Sequence, residues 1–156
     1  MKKVFAVMAL MLITVSPVFA EGFGLGWEDG VSAKFPAGKV TIQGIINFQN
    51  LSAQKNSGIQ EGTTFDLAGY AAYPLLTIDK SNLNFFGGVG IVHNPDQDLS
   101  FGFRFGIEPI VMVTDHVGVG GKLGLQFISI GGAKDVNDSG GSLFGLYGVT
   151  AVHWFF

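Results

Sequence analysis

Apolar residues at every second position, segment after segment, constrain this chain more than any other feature. Leu99, Phe101, Phe103, Phe105 and Ile107 are apolar, while Ser100, Gly102, Arg104, Gly106 and Glu108 between them are small, polar or charged. Side chains along a strand point to opposite faces in turn, so this segment has one apolar face and one small or charged face. The pattern recurs. Val40, Ile42, Gly44, Ile46 and Phe48 oppose Thr41, Gln43, Ile45, Asn47 and Gln49. Phe65, Leu67, Gly69, Ala71 and Tyr73 oppose Asp66, Ala68, Tyr70 and Ala72. Phe85, Val89 and Ile91 oppose Asn84, Gly88 and Gly90, and Val117, Val119, Leu123, Leu125 and Phe127 oppose Gly118, Gly120, Lys122, Gly124 and Gln126. A soluble sandwich covers its apolar face with a second sheet, but the opposite faces here are too small and polar to build a second core.

Composition then points to lipid. The chain is 47% hydrophobic and 13% charged, about half the charged share of an average soluble domain. Beyond the first residues no apolar run is long enough for a spanning helix. A chain in lipid must satisfy its own backbone polar groups, and a closed barrel is the alternative to a helix. Each alternating run also approaches the roughly 9–11 residues that a tilted strand needs to cross a bilayer.

The N-terminus reads as an export signal, residues 1–20. Lys2 and Lys3 are followed by the apolar stretch Val4 to Val15, then Pro17 and the small-x-small site Val18-Phe19-Ala20. Cleavage before Glu21 leaves residues 21–156 as one barrel domain and moves the formal charge from −3 to −5. The apolar stretch falls short of the roughly 20 residues of a membrane anchor. With no Cys in the chain, disulfides and thiolate metal sites are excluded. With no basic run, a nucleic-acid partner is not expected.

The expected fold is all-β: a transmembrane, antiparallel, up-and-down β-barrel of eight strands. Six strands follow from Val40 onward, and bacterial barrels of this type have an even total. Phe23 to Phe35 must then supply two, with Phe23, Leu25 and Trp27 on the first, Glu28-Asp29-Gly30 as the turn, and Val31, Ala33 and Phe35 on the second. Asp-Gly is a hairpin signal. A single long strand competes, because the apolar parity continues through Asp29. Short links at Pro36 to Lys39, Asp79 to Asn82 and Thr114 to His116 are expected on the periplasmic side. Longer ones at Asn50 to Gly62 and Gly131 to Ser142, with a compact one at Asn94 to Asp98, are expected outside.

An eight-stranded barrel is filled by its own side chains. Its inward charges are expected to be Glu28, Lys34, Asp66, Arg104, Glu108 and Lys122, balanced three against three in a lumenal ion-pair network, with an ion-selective constriction as the alternative. Arg104 can fork to a carboxylate, with Asp66, Glu108 or another acid as the partner. Inward glycines (Gly88, Gly90, Gly102, Gly106, Gly118, Gly120 and Gly124) either relieve crowding or leave room for a ligand. Outward aromatics are expected as two girdles, Phe35, Tyr73, Phe85 and Trp154 at one edge and Phe48, Phe65, Phe101, Phe127 and Phe144 at the other. No catalytic, cofactor or metal residues stand out. His93, His116 and His153 lack ligand spacing, none has Ser two residues later, and there is no GxSxG elbow. Asp96, Asp98, Asp135 and Asp138 read as solvated loop residues.

The terminal His153-Trp154-Phe155-Phe156, with Val152, Leu146 and Phe144 on the parity of Trp154 and Phe156, resembles the C-terminal signature of bacterial outer-membrane barrels. From Glu21 to Phe156 the chain resembles the small barrels of the OmpX, OmpA-transmembrane-domain and OmpW class. That resemblance implies a Gram-negative outer-membrane location and contact with outer-membrane lipid and lipopolysaccharide. It also implies handling by periplasmic chaperones and by the barrel-assembly machinery, for which Trp154 and Phe156 would be the assembly signal. A structural or surface-interaction role is the leading expectation. A narrow pore or carrier for small or hydrophobic solutes comes second, and a lipid-modifying enzyme third.

Overall fold

The computed structural model describes residues 22–51, 62–94, 98–132 and 140–156. The expected signal segment and its cleavage point before Glu21 lie outside the described residues, as do Asp96, Asp135 and Asp138. Eight strands follow one another in chain order: β1 (Gly24–Trp27), β2 (Val31–Ala37), β3 (Val40–Leu51), β4 (Gly62–Ile78), β5 (Ser81–His93), β6 (Ser100–Met112), β7 (Val117–Ile130) and β8 (Gly141–Phe155). Each pairs antiparallel with its neighbours, and β1 closes on β8.

The N-terminal segment does form two strands. Asp29 takes φ 52° and Gly30 φ 150°, and the chain reverses there in spite of its continuous apolar parity. Pairing also runs further than the expected loop limits, since Leu51 still pairs with Gly62 and Ile130 with Gly141.

Stepping along paired residues from Gly24 through Lys34, Gln43, Tyr70, Gly88, Arg104 and Gln126 leads to Gly145 on β8, whereas Gly24 itself pairs with Phe155, ten residues further on. That stagger makes the strands tilt, by roughly 40° in barrels of this kind. The two aromatic groups then fall at two levels. Phe65 and Tyr73 on β4 stand about 20 Å apart along the axis at a rise of about 3.3 Å per residue and that tilt. Most of the large apolar side chains on the outward parity are exposed, among them Trp27, Phe48, Phe103, Leu123 and Trp154. The core lies inside the ring, where Ile45, Ala68, Tyr70, Ala72, Phe86 and Tyr147 pack together.

The wall is uneven in height. β3 to β8 run 12 to 17 residues, but β1 has 4 and β2 has 7. Gly30 ends the β1–β2 hairpin against the Ile46 carbonyl. Beyond it, β3 from Asn47 and β8 from Ala151 back to Gly141 lose their neighbours on that side, among the described residues. The end that carries both described termini is therefore closed all round. Among the described residues the far half of the wall therefore has six strands where the near half has eight. Leu146, on β8 beside this gap, is 85% exposed.

The inward glycines divide into two groups. A Cβ at Gly106 would strike the Leu123 carbonyl, at Gly124 the Phe105 carbonyl, at Gly120 the Pro109 carbonyl and at Gly88 the Tyr70 ring. Those positions are glycine because the strands approach too closely for a side chain. A Cβ at Gly102 would meet nothing nearer than 3.7 Å, and at Gly90 nothing nearer than 3.4 Å. Overpacking a tight site costs about 1–3 kcal/mol. Gly106→Ala should accordingly lose about that much stability in urea unfolding followed by the fluorescence of Trp27 and Trp154, while Gly102→Ala should unfold close to the parent.

Candidate functional site in the lumen

Four of the six expected inward charges meet in the closed half. Lys122, on β7, has no exposed surface. Its Nζ donates to Glu28 Oε1 at 2.5 Å and to Gln43 Oε1 at 2.6 Å, and lies 3.1 Å from Glu108 Oε1. Lys34 Nζ donates to the same Glu108 oxygen at 2.6 Å. Gln43 Nε2 donates to Glu28 Oε2 at 2.9 Å, and Asn84 Nδ2 to Glu108 Oε2 at 3.1 Å. Two carboxylates thus share two ammonium groups, and both oxygens of each carboxylate accept hydrogen bonds. Buried charge is tolerable only when so paired and so hydrogen-bonded.

The residues reach this cluster from β3, β5, β6 and β7 and from the β1–β2 hairpin. Its brevity is what brings Glu28 there: the turn begins where the wall has climbed only to the middle of the barrel. Below the cluster, Ser32 Oγ lies 2.7 Å from His153 Nε2, and Gln43 Nε2 lies 3.4 Å from the same ring nitrogen. Above it sits an aromatic layer. Phe86, with no exposed surface, meets Tyr70 edge-on at 5.9 Å between ring centroids and Tyr147 at 6.2 Å. The Lys122 ammonium lies 4.8 Å from the Tyr70 ring centroid, close enough for a cation–π contact.

Arg104 and Asp66 stand apart from the cluster. The structure provides Arg104 with no forked carboxylate. Its Nη1 donates to Tyr70 Oη at 2.8 Å, and its guanidinium lies over the Tyr147 ring at 4.7 Å. Among the described residues, the buried side-chain atoms Arg104 Nε and Asp66 Oδ1 have no hydrogen-bond partner. Parity reasoning could not separate these two from the other four charges, because it sorts residues by face and not by height along the axis.

Gln43, Tyr70, Phe86, Tyr147, Ser32 and His153 also line the lumen, and none of them carries the charge that marked the six expected residues. Gln43 and Tyr70 do lie on the inward parity of their strands. Phe86 and Tyr147 are legible only as neighbours, on the opposite parity, of the outward Phe85 and Leu146. At the terminal end Trp154 faces outward, with the His116 ring stacked 6.1 Å away at an interplanar angle of 6°. Phe156 is exposed and stacks on Phe23 at 6.0 Å. No His, Cys, Asp or Glu group suited to a metal occurs among the described residues.

No known family matches this chain, and no curated protein or solved structure matches it either.

Removing one partner of a buried pair costs about 3–5 kcal/mol, because the other charge is left without compensation. Lys122→Met should destabilise the barrel by about that amount in urea unfolding, and Lys122→Met with Glu28→Gln should recover part of it. Arg104→Met, which removes one hydrogen bond and one ring contact, should cost about 1–2 kcal/mol.

Proposed function

We propose that this chain is a bacterial outer-membrane β-barrel with a structural or surface-interaction role. The observation that carries the reading is the contrast between its two faces. Large apolar side chains stand exposed around the outside, bounded by two aromatic levels, while Glu28, Lys34, Glu108 and Lys122 are paired within. Outer-membrane barrels have such an outward apolar band, flanked by aromatic girdles, because lipid surrounds them. In water the same surface would far exceed the apolar patches that soluble monomers carry. Outer-membrane lipid and lipopolysaccharide are then the surroundings of the wall, and Trp154 with Phe156 forms the signal read by the assembly machinery after passage with periplasmic chaperones.

A continuous pore is the weaker reading. The Lys122 cluster and the Tyr70, Phe86 and Tyr147 layer cross the lumen, and an ion would have to break buried pairs to pass. The Ser32–His153 contact is buried beside the charge cluster, which argues against its serving as a nucleophile–base pair, and an unchanged acyl profile of outer-membrane lipids with and without the protein would agree.

The detergent-folded protein should give a β-type circular dichroism spectrum and migrate as a compact species until boiled; loss of both properties would remove the membrane reading. In planar bilayers it should show no steady unitary conductance. Steady conductance that changes when Lys122 or Glu108 is substituted would replace the structural role with conduction.

A further inference from the structure

We infer that the far half of the lumen binds one zwitterionic amphiphile. Its phosphate–ammonium head group lies between Arg104 and Asp66, and its acyl chain leaves through the gap between β3 and β8. This rests on the reading of the outer wall as lipid-facing.

The charges come first. Arg104 and Asp66 are of opposite sign and attract each other, yet no ion pair joins them. Each keeps a buried atom without a partner, Arg104 Nε as donor and Asp66 Oδ1 as acceptor. This differs from the Lys122 cluster below, where every carboxylate oxygen is engaged. Both side chains are half-buried, and a charge held apart from its partner there keeps part of its desolvation cost. A simple anion on Arg104 would be repelled by Asp66, and a simple cation on Asp66 by Arg104. A head group with both signs satisfies the two at once: its phosphate accepts from the guanidinium and its ammonium donates to the carboxylate.

Space and shape agree. Asp66 is on β4 and Arg104 on β6; the strand between them, β5, presents Gly88 and Gly90 on the inward parity. Gly90 pairs directly with Gly102 of β6. Packing does not require glycine at either of these two positions, since an added Cβ would find ordinary contact distances or more. The absence of side chains at Gly90 and Gly102 therefore keeps the lumen wall thin beside the two charges. On one side the Arg104 guanidinium rests on Tyr70 Oη and the Tyr147 ring, which pack with Phe86.

The exit selects an amphiphile over a water-soluble zwitterion. Leu143, on the inward parity of β8, is exposed at the lumen rim, and Phe144 and Leu146 are exposed beside the gap. Backbone groups line it as well. Phe155 N donates toward β7 to the His116 carbonyl, so the alternate residues Thr150, Gly148, Leu146 and Phe144 turn their backbone groups toward the missing strands. The Leu146 carbonyl receives a side-chain donor, Gln126 Nε2 at 3.4 Å. An acyl chain leaving here passes from an apolar rim into lipid without crossing the wall.

The test uses the protein folded in a maltoside detergent, with folding checked by heat-modifiable migration. Lysophosphatidylethanolamine is titrated in, and native mass spectrometry counts the lipids retained per barrel. One lipid should be retained. Arg104→Gln and Asp66→Asn should each weaken retention about tenfold, the scale of one hydrogen bond to a charged group. Gly102→Leu, which fills the compartment without touching either charge, should abolish it. Lysophosphatidylglycerol and monoacylglycerol, lacking the ammonium or both charges, should bind at least about tenfold more weakly. Equal retention by the Arg104→Gln/Asp66→Asn double variant, or by Gly102→Leu, would put the lipid on the outer wall and overturn the proposal. Preference for the anionic lipid would overturn the zwitterionic assignment. A wild-type chain that folds and retains no lipid defeats this inference alone, whereas one that fails to fold in any detergent defeats the membrane reading and this inference with it. If Gly102→Leu does not fold, Gly90→Ala serves as the milder filling variant, with reduced retention expected and unchanged retention counting against the site.

Discussion

Lys122 is the point on which the barrel's interior depends. Its ammonium group is wholly buried and has three oxygen partners, from Glu28, Gln43 and Glu108, while Lys34 holds Glu108 from the other side. These groups come from residues up to 94 positions apart in the chain. None can be desolvated alone at acceptable cost, so the charges become favourable only once the ring has closed. Closure and charge pairing therefore support each other, and the β1–β2 hairpin, which carries both Glu28 and Lys34, is where they meet.

That dependence accounts for the unequal halves of the molecule. The short hairpin spans only the half that contains the cluster. There the wall is complete, the lumen is filled by pairs of opposite charge, and Phe86 with the two tyrosines caps it. In the far half the described wall has six strands instead of eight, two glycines could take a side-chain carbon without close approach, and Arg104 and Asp66 keep atoms without partners. A barrel that served only to be stable would gain by filling this half. The near half accounts for cohesion, and the far half is where binding chemistry has room.

Much of the fold was legible in the chain. Parity assigned residues to faces correctly because a strand's side-chain period is two whatever the tertiary surroundings. It also placed the aromatic levels, since strands of similar length and tilt bring Phe65 and Phe101, or Tyr73 and Phe85, to matching heights. The inward face of the six charged residues was equally readable. Their sorting into a cluster of four and a separated two was not, because height along the axis depends on a ten-residue stagger around the ring. Arg104 illustrates the point. Its sequence neighbourhood offers Glu108, but the stagger delivers Glu108 to the lysines and leaves the guanidinium with Tyr70 and Tyr147.

By itself the sequence determined an antiparallel ring with an apolar exterior and a charged interior, since alternation and turn chemistry act over a few residues. Only the tertiary structure decided which charges pair, which glycines are forced by close approach and which leave room, and where the wall stops short. Those outcomes depend on register and on the relative height of distant strands, which cross-strand pairing sets once the ring has closed.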